Sequence, residues 1–318
     1  MADGSKIEWT DATWNVVIGC DKVSPGCDHC YAIRTAHRFQ EHPNPAVAAA
    51  YAGTEADGDW TGRVNLVEDR LELPLSWTRP RRIFVNAQSD LFHKDVPDEF
   101  IARVWAVMAL APRHTFQILT KRHGRMRSLL NADHFHEMVQ DAIGSVVWGG
   151  AVKGAVADNV RARSKAWLPL TSAWPLPNVW LGVSVEDQQR ADLRIPALLD
   201  TPAAVRWLSC EPLLGPVDVI NGLGDSWLTG VDWIVVGGES GPGSRPMHPE
   251  WVRSLRDQCD VAGVPFLFKQ WGSHRPSDVG TIVRNGVRYP MVPSGKRAAG
   301  RELDGRTWDE YPQEVSRG

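Results

Sequence analysis

Seven short apolar runs, spread along 318 residues and each ending on polar side chains, constrain this chain more than any other feature. They are residues 15–18 (NVVI), 82–86 (RIFVN), 115–119 (TFQIL), 179–183 (VWLGV), 205–208 (VRWL), 233–236 (WIVV) and 265–268 (PFLF). β-Branched and aromatic side chains dominate them, as they do in strands. Helical patterns lie between them: residues 31–41 (YAIRTAHRFQE), a stretch opened by Pro97 with acids in its first turn, a segment around 124–131, one running to about residue 199, and one from Pro249 to about residue 261. Strands alternating with helices predict a parallel α/β sheet, here a full or partial (β/α) barrel of about 6–8 strands. The expected barrel covers residues 1–276, with insertions near 43–80 and 143–177. Residues 277–318 form an extension packed on it, in which TIVRNGVRYP reads as a hairpin with an Asn-Gly type I′ turn.

Composition narrows the function classes. Hydrophobic residues make up 43% and charged residues 23%, and the net charge is −3. That excludes a disordered chain and argues against a protein that coats nucleic acid along its whole surface. No apolar run reaches the ~18 residues of a membrane helix. The opening MADGSKIEWTDATWN has neither a basic start nor an apolar segment, so the expectation is a cytoplasmic protein with no membrane partner.

The five cysteines are too few, and odd in number, for a disulfide scaffold. Cys20, Cys27 and Cys30 fall in GCDKVSPGCDHCYA with spacing C-x6-C-x2-C, directly after the first apolar run. Three thiolates on one loop suit an iron–sulfur cluster, and three ligands to a four-iron cluster leave one iron open. The same loop suits a structural zinc completed by His29 or His37, and unligated thiols are the third reading. A structural zinc usually pairs two C-x2-C elements and this chain has one, so the pattern leans toward a cluster.

A three-cysteine loop after the first strand of a (β/α) barrel resembles the radical S-adenosylmethionine (SAM) superfamily, although the usual motif there is C-x3-C-x2-C. More specifically the chain resembles the phage Gp37/Gp68, or three-Cys-motif, family. SPGCDHCYA, SDLFHKDVPDEF, LTKR, GVSVED, EPLLGP, GGESGPGSRPMHPEWVRSLRDQC, FKQWG and AAGRELDGRTWDEYP carry the likeness across nearly the whole length. The resemblance implies a [4Fe–4S] cluster on Cys20, Cys27 and Cys30, SAM bound at the open iron, and hydrogen abstraction from a substrate after reductive cleavage of SAM. It implies an electron donor and a dedicated protein partner as well. A more distant similarity to spore photoproduct lyase points to a DNA or nucleotide substrate, by analogy of fold alone. The rival expectations are a zinc-stabilised module that binds nucleic acid without catalysis, and a scaffold for a partner.

The strand ends supply the remaining candidates. Ser89 and Asp90 follow the second run, where the superfamily receives the SAM ammonium on Gly-Gly-Glu; an Asx turn is the mundane alternative. Lys121 or Arg122 would pair with the methionine carboxylate, and Ser184 with Glu186 would suit the ribose hydroxyls or else cap a helix. Glu211 is expected to be catalytic, since a buried carboxylate is costly unless paired. Cys210 would donate a hydrogen atom or simply pack. Glu239, in a Gly-Gly-Glu-Ser-Gly turn whose glycines let backbone approach a ligand, is catalytic or else paired with Arg245. Arg245, Lys269, Gln270 and Trp271 are the substrate candidates, with Trp271 able to stack on a ring or to fill the core.

Overall fold

The computed structural model describes residues 4, 5, 7–148, 173–220 and 226–313. The strands of its main sheet are β1 (Ala12–Trp14), β2 (Arg82–Val85), β3 (Thr115–Thr120), β4 (Val179–Ser184), β5 (Val205–Cys210), β6 (Trp233–Gly237) and β7 (Phe266–Gln270). The longer helices are α1 (Tyr31–Gln40), α2 (Asp98–Ala109), α3 (His123–Leu130), α4 (Asp133–Trp148), α5 (Gln188–Leu199) and α6 (Pro249–Ala262). Two compact units share these elements: Met1–Lys22, Ala32–Leu181 and Asp200–Ala204 form the first, and Val23–Tyr31, Gly182–Leu199 and Val205–Gly318 the second.

In the first unit β2 lies between β1 and β3, in register Ile83 to Ala12 and Ile83 to Phe116. Helix α2 starts on Pro97, carries Asp98 and Glu99 in its first turn where a helix favours negative charge, and packs on α4 with Trp105 edge-on to Phe135. In the second unit β6 lies between β5 and β7, in register Trp233 to Trp207 and Ile234 to Phe266. Helix α6 is capped by His248, which accepts from the Glu250 N–H, and stops at Gly263 in the left-handed region (φ 68°). Strand β4 belongs to both units, passing from one to the other between Leu181 and Gly182. All seven strands are parallel and hydrogen-bonded in their sequence order. That order never reverses, so the sheet is that of a partial (β/α) barrel and not of a doubly wound fold.

Trp180, Trp207 and Trp233 are buried on these strands, as packing residues should be. The first strand is three residues earlier than the apolar pattern suggests. Asn86, in the left-handed region at φ 60°, uses its side-chain oxygen to accept from the N–H groups of Val16 and Val17, at 3.0 and 3.1 Å. That captures the backbone the ladder would need, and Val17–Ile18 pairs antiparallel with Asn65–Leu66 instead. Residues 43–80 hold short helices at Pro45–Tyr51 and Leu73–Ser76 and a small ribbon, Glu55–Ala56 with Asp59–Trp60. Of the segment 143–177, residues up to 148 complete α4, whereas 149–172, with the basic RARSKAW stretch, lie outside the described residues. The hairpin is present as Ile282–Arg284 paired with Val287–Tyr289, turning through Asn285 (φ 49°) and Gly286 (φ 77°). No helix among the described residues is long and apolar enough to cross a membrane.

Candidate functional site

In the first unit the chain after Ile18 returns to the end of the sheet, where Gly19 bridges Ser89 in parallel and its N–H donates to the Gln88 carbonyl at 3.2 Å. Gly19 sits at φ 97°, and a Cβ there would overlap the Arg63 carbonyl, so only glycine delivers the next residue, Cys20, to this end of the sheet. Arg122, just past β3, donates from Nη1 to Cys20 Sγ at 3.6 Å and pairs with both Asp21 and Asp90. His93 is fully buried, with Nδ1 accepting from the Asp95 N–H at 3.2 Å; this leaves the proton on Nε2, which faces Asp21 Oδ2 at 3.4 Å. Burial, then the Arg122 charge, hold the His93 pKa below the ordinary histidine value.

Asp90 is engaged within the unit. It accepts from the Phe92 N–H (3.0 Å), the Thr120 hydroxyl (2.8 Å) and the Lys121 N–H (2.9 Å), closing an Asx turn and tying β2 to β3. Ser89 donates to the Val17 carbonyl at 2.8 Å. Lys121 is half-buried at the end of the same strand. Asp21 and His93 were not legible as site residues. The signals available for them were the adjacency of Asp21 to Cys20 and the presence of His93 in the SDLFHKDVPDEF segment.

In the second unit the turn Ser24–Cys30 is held by two carboxylates. Glu186, fully buried, accepts from Ser24 Oγ at 2.6 Å and from Arg194 at 2.8 Å, and Arg194 also donates to the Ser184 carbonyl. Gly26 lies so close that a Cβ would overlap the Glu186 carboxylate. On the other side Arg245 donates to both oxygens of Glu239 (3.0 and 2.6 Å), to the Pro25 carbonyl (2.8 Å) and to Asp28 (3.1 Å). Glu186 and Ser184 therefore neither start a helix, since α5 begins at Gln188, nor stand open in a strand-end cleft; both are wholly buried. Glu239 takes the ion-pair role with Arg245, and Arg245 fastens the cysteine turn.

The close approach allowed by the glycines after β6 is made by the chain itself, since a Cβ on Gly238 would overlap the Trp271 carbonyl. Glu211 reaches over Gly237 to accept from Lys269 (2.8 Å) and Gln270 (3.1 Å) on β7, and a Cβ at Gly237 would stand 3.1 Å from its carboxyl carbon. These three polar side chains form one group at the strand ends. Trp271 is 4% exposed, edge-on to Phe268, and its indole N–H donates to the Glu302 carbonyl at 2.8 Å. The stacking expectation thus gives way to core packing, because the ring face is covered. Cys210 is fully buried, and burial, with Cys259 and Glu186 nearby, pushes its thiol pKa up. Burial, then Glu310, pushes Cys259 up to about 12.

A family model described as a protein of unknown function, DUF5131, matches residues 4–312. The chain belongs to the DUF5131 family. Comparison with curated proteins and with solved structures gave no match. In this DUF5131 protein Cys20, Cys27 and Cys30 are each partly exposed and none is in a disulfide, whereas Cys210 and Cys259 are buried. Three accessible thiols, one beside a guanidinium, suit in kind a soft metal or an iron–sulfur cluster. Among the described residues no three His, Cys, Asp or Glu side chains are already gathered as a metal shell. Cys20 belongs to the first unit, and Cys27 and Cys30 to the second.

Proposed function

We propose that this DUF5131 protein is a radical SAM enzyme whose cluster is held by Cys20, Cys27 and Cys30. The observation that carries the reading is the division of the cysteines. Three accessible thiols share one loop that follows the first strand, and the other two are buried and inert. A [4Fe–4S] cluster bound there supplies the one-electron reduction that splits SAM and starts hydrogen abstraction from a substrate. The chain's own residues prepare the ligands. Gly19 aims Cys20, Arg122 donates to its sulfur, and Glu186, Glu239 and Arg245 fix the turn that carries Cys27 and Cys30. Lys121, at the end of β3, is the cation assigned to the methionine carboxylate. Glu211, Lys269 and Gln270 are the polar group assigned to the substrate. A cluster on these thiols fits the cytoplasm, where thiols are kept reduced.

The test is anaerobic purification and reconstitution, followed by measurement of iron, sulfide and zinc and of reductant-dependent 5′-deoxyadenosine. Iron and sulfide that disappear in Cys20→Ala, Cys27→Ala and Cys30→Ala but persist in Cys259→Ala support the reading. Stoichiometric zinc with no iron overturns it in favour of a zinc-stabilised module.

A further inference from the structure

The charge of the second unit is unevenly spread. Residues 273–300 carry five Lys or Arg (Arg275, Arg284, Arg288, Lys296 and Arg297) against one acid, Asp278, in a chain whose net charge is −3. All five basic residues are exposed. Among the described residues, no ion pair takes up Arg275, Arg284, Arg288 or Arg297. Four other arginines of the same unit are matched, Arg253 and Arg256 to Asp304, Arg301 to Asp309, and Arg245 to Glu239, and Arg306 lies over the Trp308 ring. Unmatched cations clustered on one small lobe call for an anionic partner from outside the unit.

The form of the lobe narrows that partner. The hairpin Ile282–Arg284 with Val287–Tyr289 places Val283 opposite Arg288 and Arg284 opposite Val287. Side chains alternate across a strand, so Arg284 and Arg288 project from opposite faces of the ribbon. One end of the ribbon is anchored, since Tyr289 is buried and packs edge-on to Trp251 of α6. The other end is open, with Val283 63% and Val287 41% exposed. A lipid surface meets one face of such a ribbon. A nucleic-acid groove, just wide enough for two strands and walled by phosphates on both sides, meets both. We propose that this hairpin is an arm that docks on duplex nucleic acid through phosphate contacts from Arg284 and Arg288.

The proposal stands apart from the cluster and is tested on full-length protein with the thiols reduced. Fluorescence anisotropy with a labelled DNA duplex of about 20 base pairs is measured between about 50 and 200 mM salt. The expected result is binding that weakens with salt. Arg284→Ala/Arg288→Ala is expected to lower affinity about tenfold at the low-salt end and to flatten the log–log salt slope by about 2, whereas Arg284→Lys/Arg288→Lys restores both. The control variant Arg79→Ala/Arg81→Ala, two arginines of the first unit, is expected to change neither. Absence of binding at low salt overturns the proposal, as does affinity unchanged in the double alanine variant while its thermal melt stays wild-type. Equal loss of binding to phosphatidylserine vesicles across the same variants overturns it in favour of a lipid surface.

Discussion

At the scale of single residues, buried ionisable groups give the sharpest expectations. His114 is fully buried, and its Nε2 lies 3.0 Å from the Pro74 carbonyl, an acceptor, so Nε2 carries a proton. Burial, reinforced by Arg113, lowers its pKa to about 4. Between the unfolded value near 6.5 and the folded value near 4 the unfolded chain binds the extra proton, so stability falls as pH drops through that window. The total contribution is about 3 kcal/mol. Urea unfolding at several pH values should show this loss, and His114→Gln, which keeps a donor for Pro74 but cannot titrate, should flatten the curve by that share. Glu186 and Arg194 are a buried pair, and Arg194→Met leaves the carboxylate without its cation. Its expected cost is about 3–5 kcal/mol, read as a lowered unfolding midpoint, because an unpaired buried charge is far worse than no charge. The thiols divide the same way: alkylation with mass detection should modify Cys20, Cys27 and Cys30 in the native protein and reach Cys210 and Cys259 only after unfolding.

At the scale of elements, the strand and helix pattern was legible because period and turn chemistry are local. The runs at Arg82–Val85, Thr115–Thr120 and Val205–Cys210, the helix ending at Gly263 and the Asn-Gly hairpin all follow from their own residues. The first strand was not legible, because Asn86 captures the backbone of Val16 from 70 positions away. The site divides similarly. The cysteine loop and the strand-end carboxylates stand out in the sequence, and so does the pairing of Glu239 with Arg245, six positions on. What Glu186 and Arg245 do to the cysteine turn involves partners 162 and 220 residues distant, which no local pattern encodes. Two substitutions test these long-range fits. Gly182→Ala would put a Cβ into the Trp207 indole across neighbouring strands, and a loss of about 1–3 kcal/mol is expected in denaturant unfolding. Arg245→Ala should leave the fold cooperative but release the turn, seen as faster proteolysis or hydrogen exchange confined to residues 23–31.

At the scale of the whole molecule, sequence order and sheet order coincide, so each strand end lies next to those of its sequence neighbours. Within each unit this is why polar residues far apart in sequence could be read as strand ends, and why their individual partners could not. Charge follows a coarser plan. The acidic balance of the chain coexists with a basic lobe at residues 273–300, and bulk composition conceals it. Proteins that bind nucleic acid through one arm do not need a basic chain, only a basic surface where contact is made.

The fastening of the cysteine turn has a consequence for how the protein is made. Asp28 and Arg245 are 217 residues apart, and a ribosome adding about 5–20 residues each second separates their emergence by about 10–40 s. Through that interval Cys27 and Cys30 exist without the arginine that will hold their turn. Any inorganic group they bind must either be installed late, once the second unit closes, or be handed to a loose pair of thiols by a carrier that protects them from oxidation.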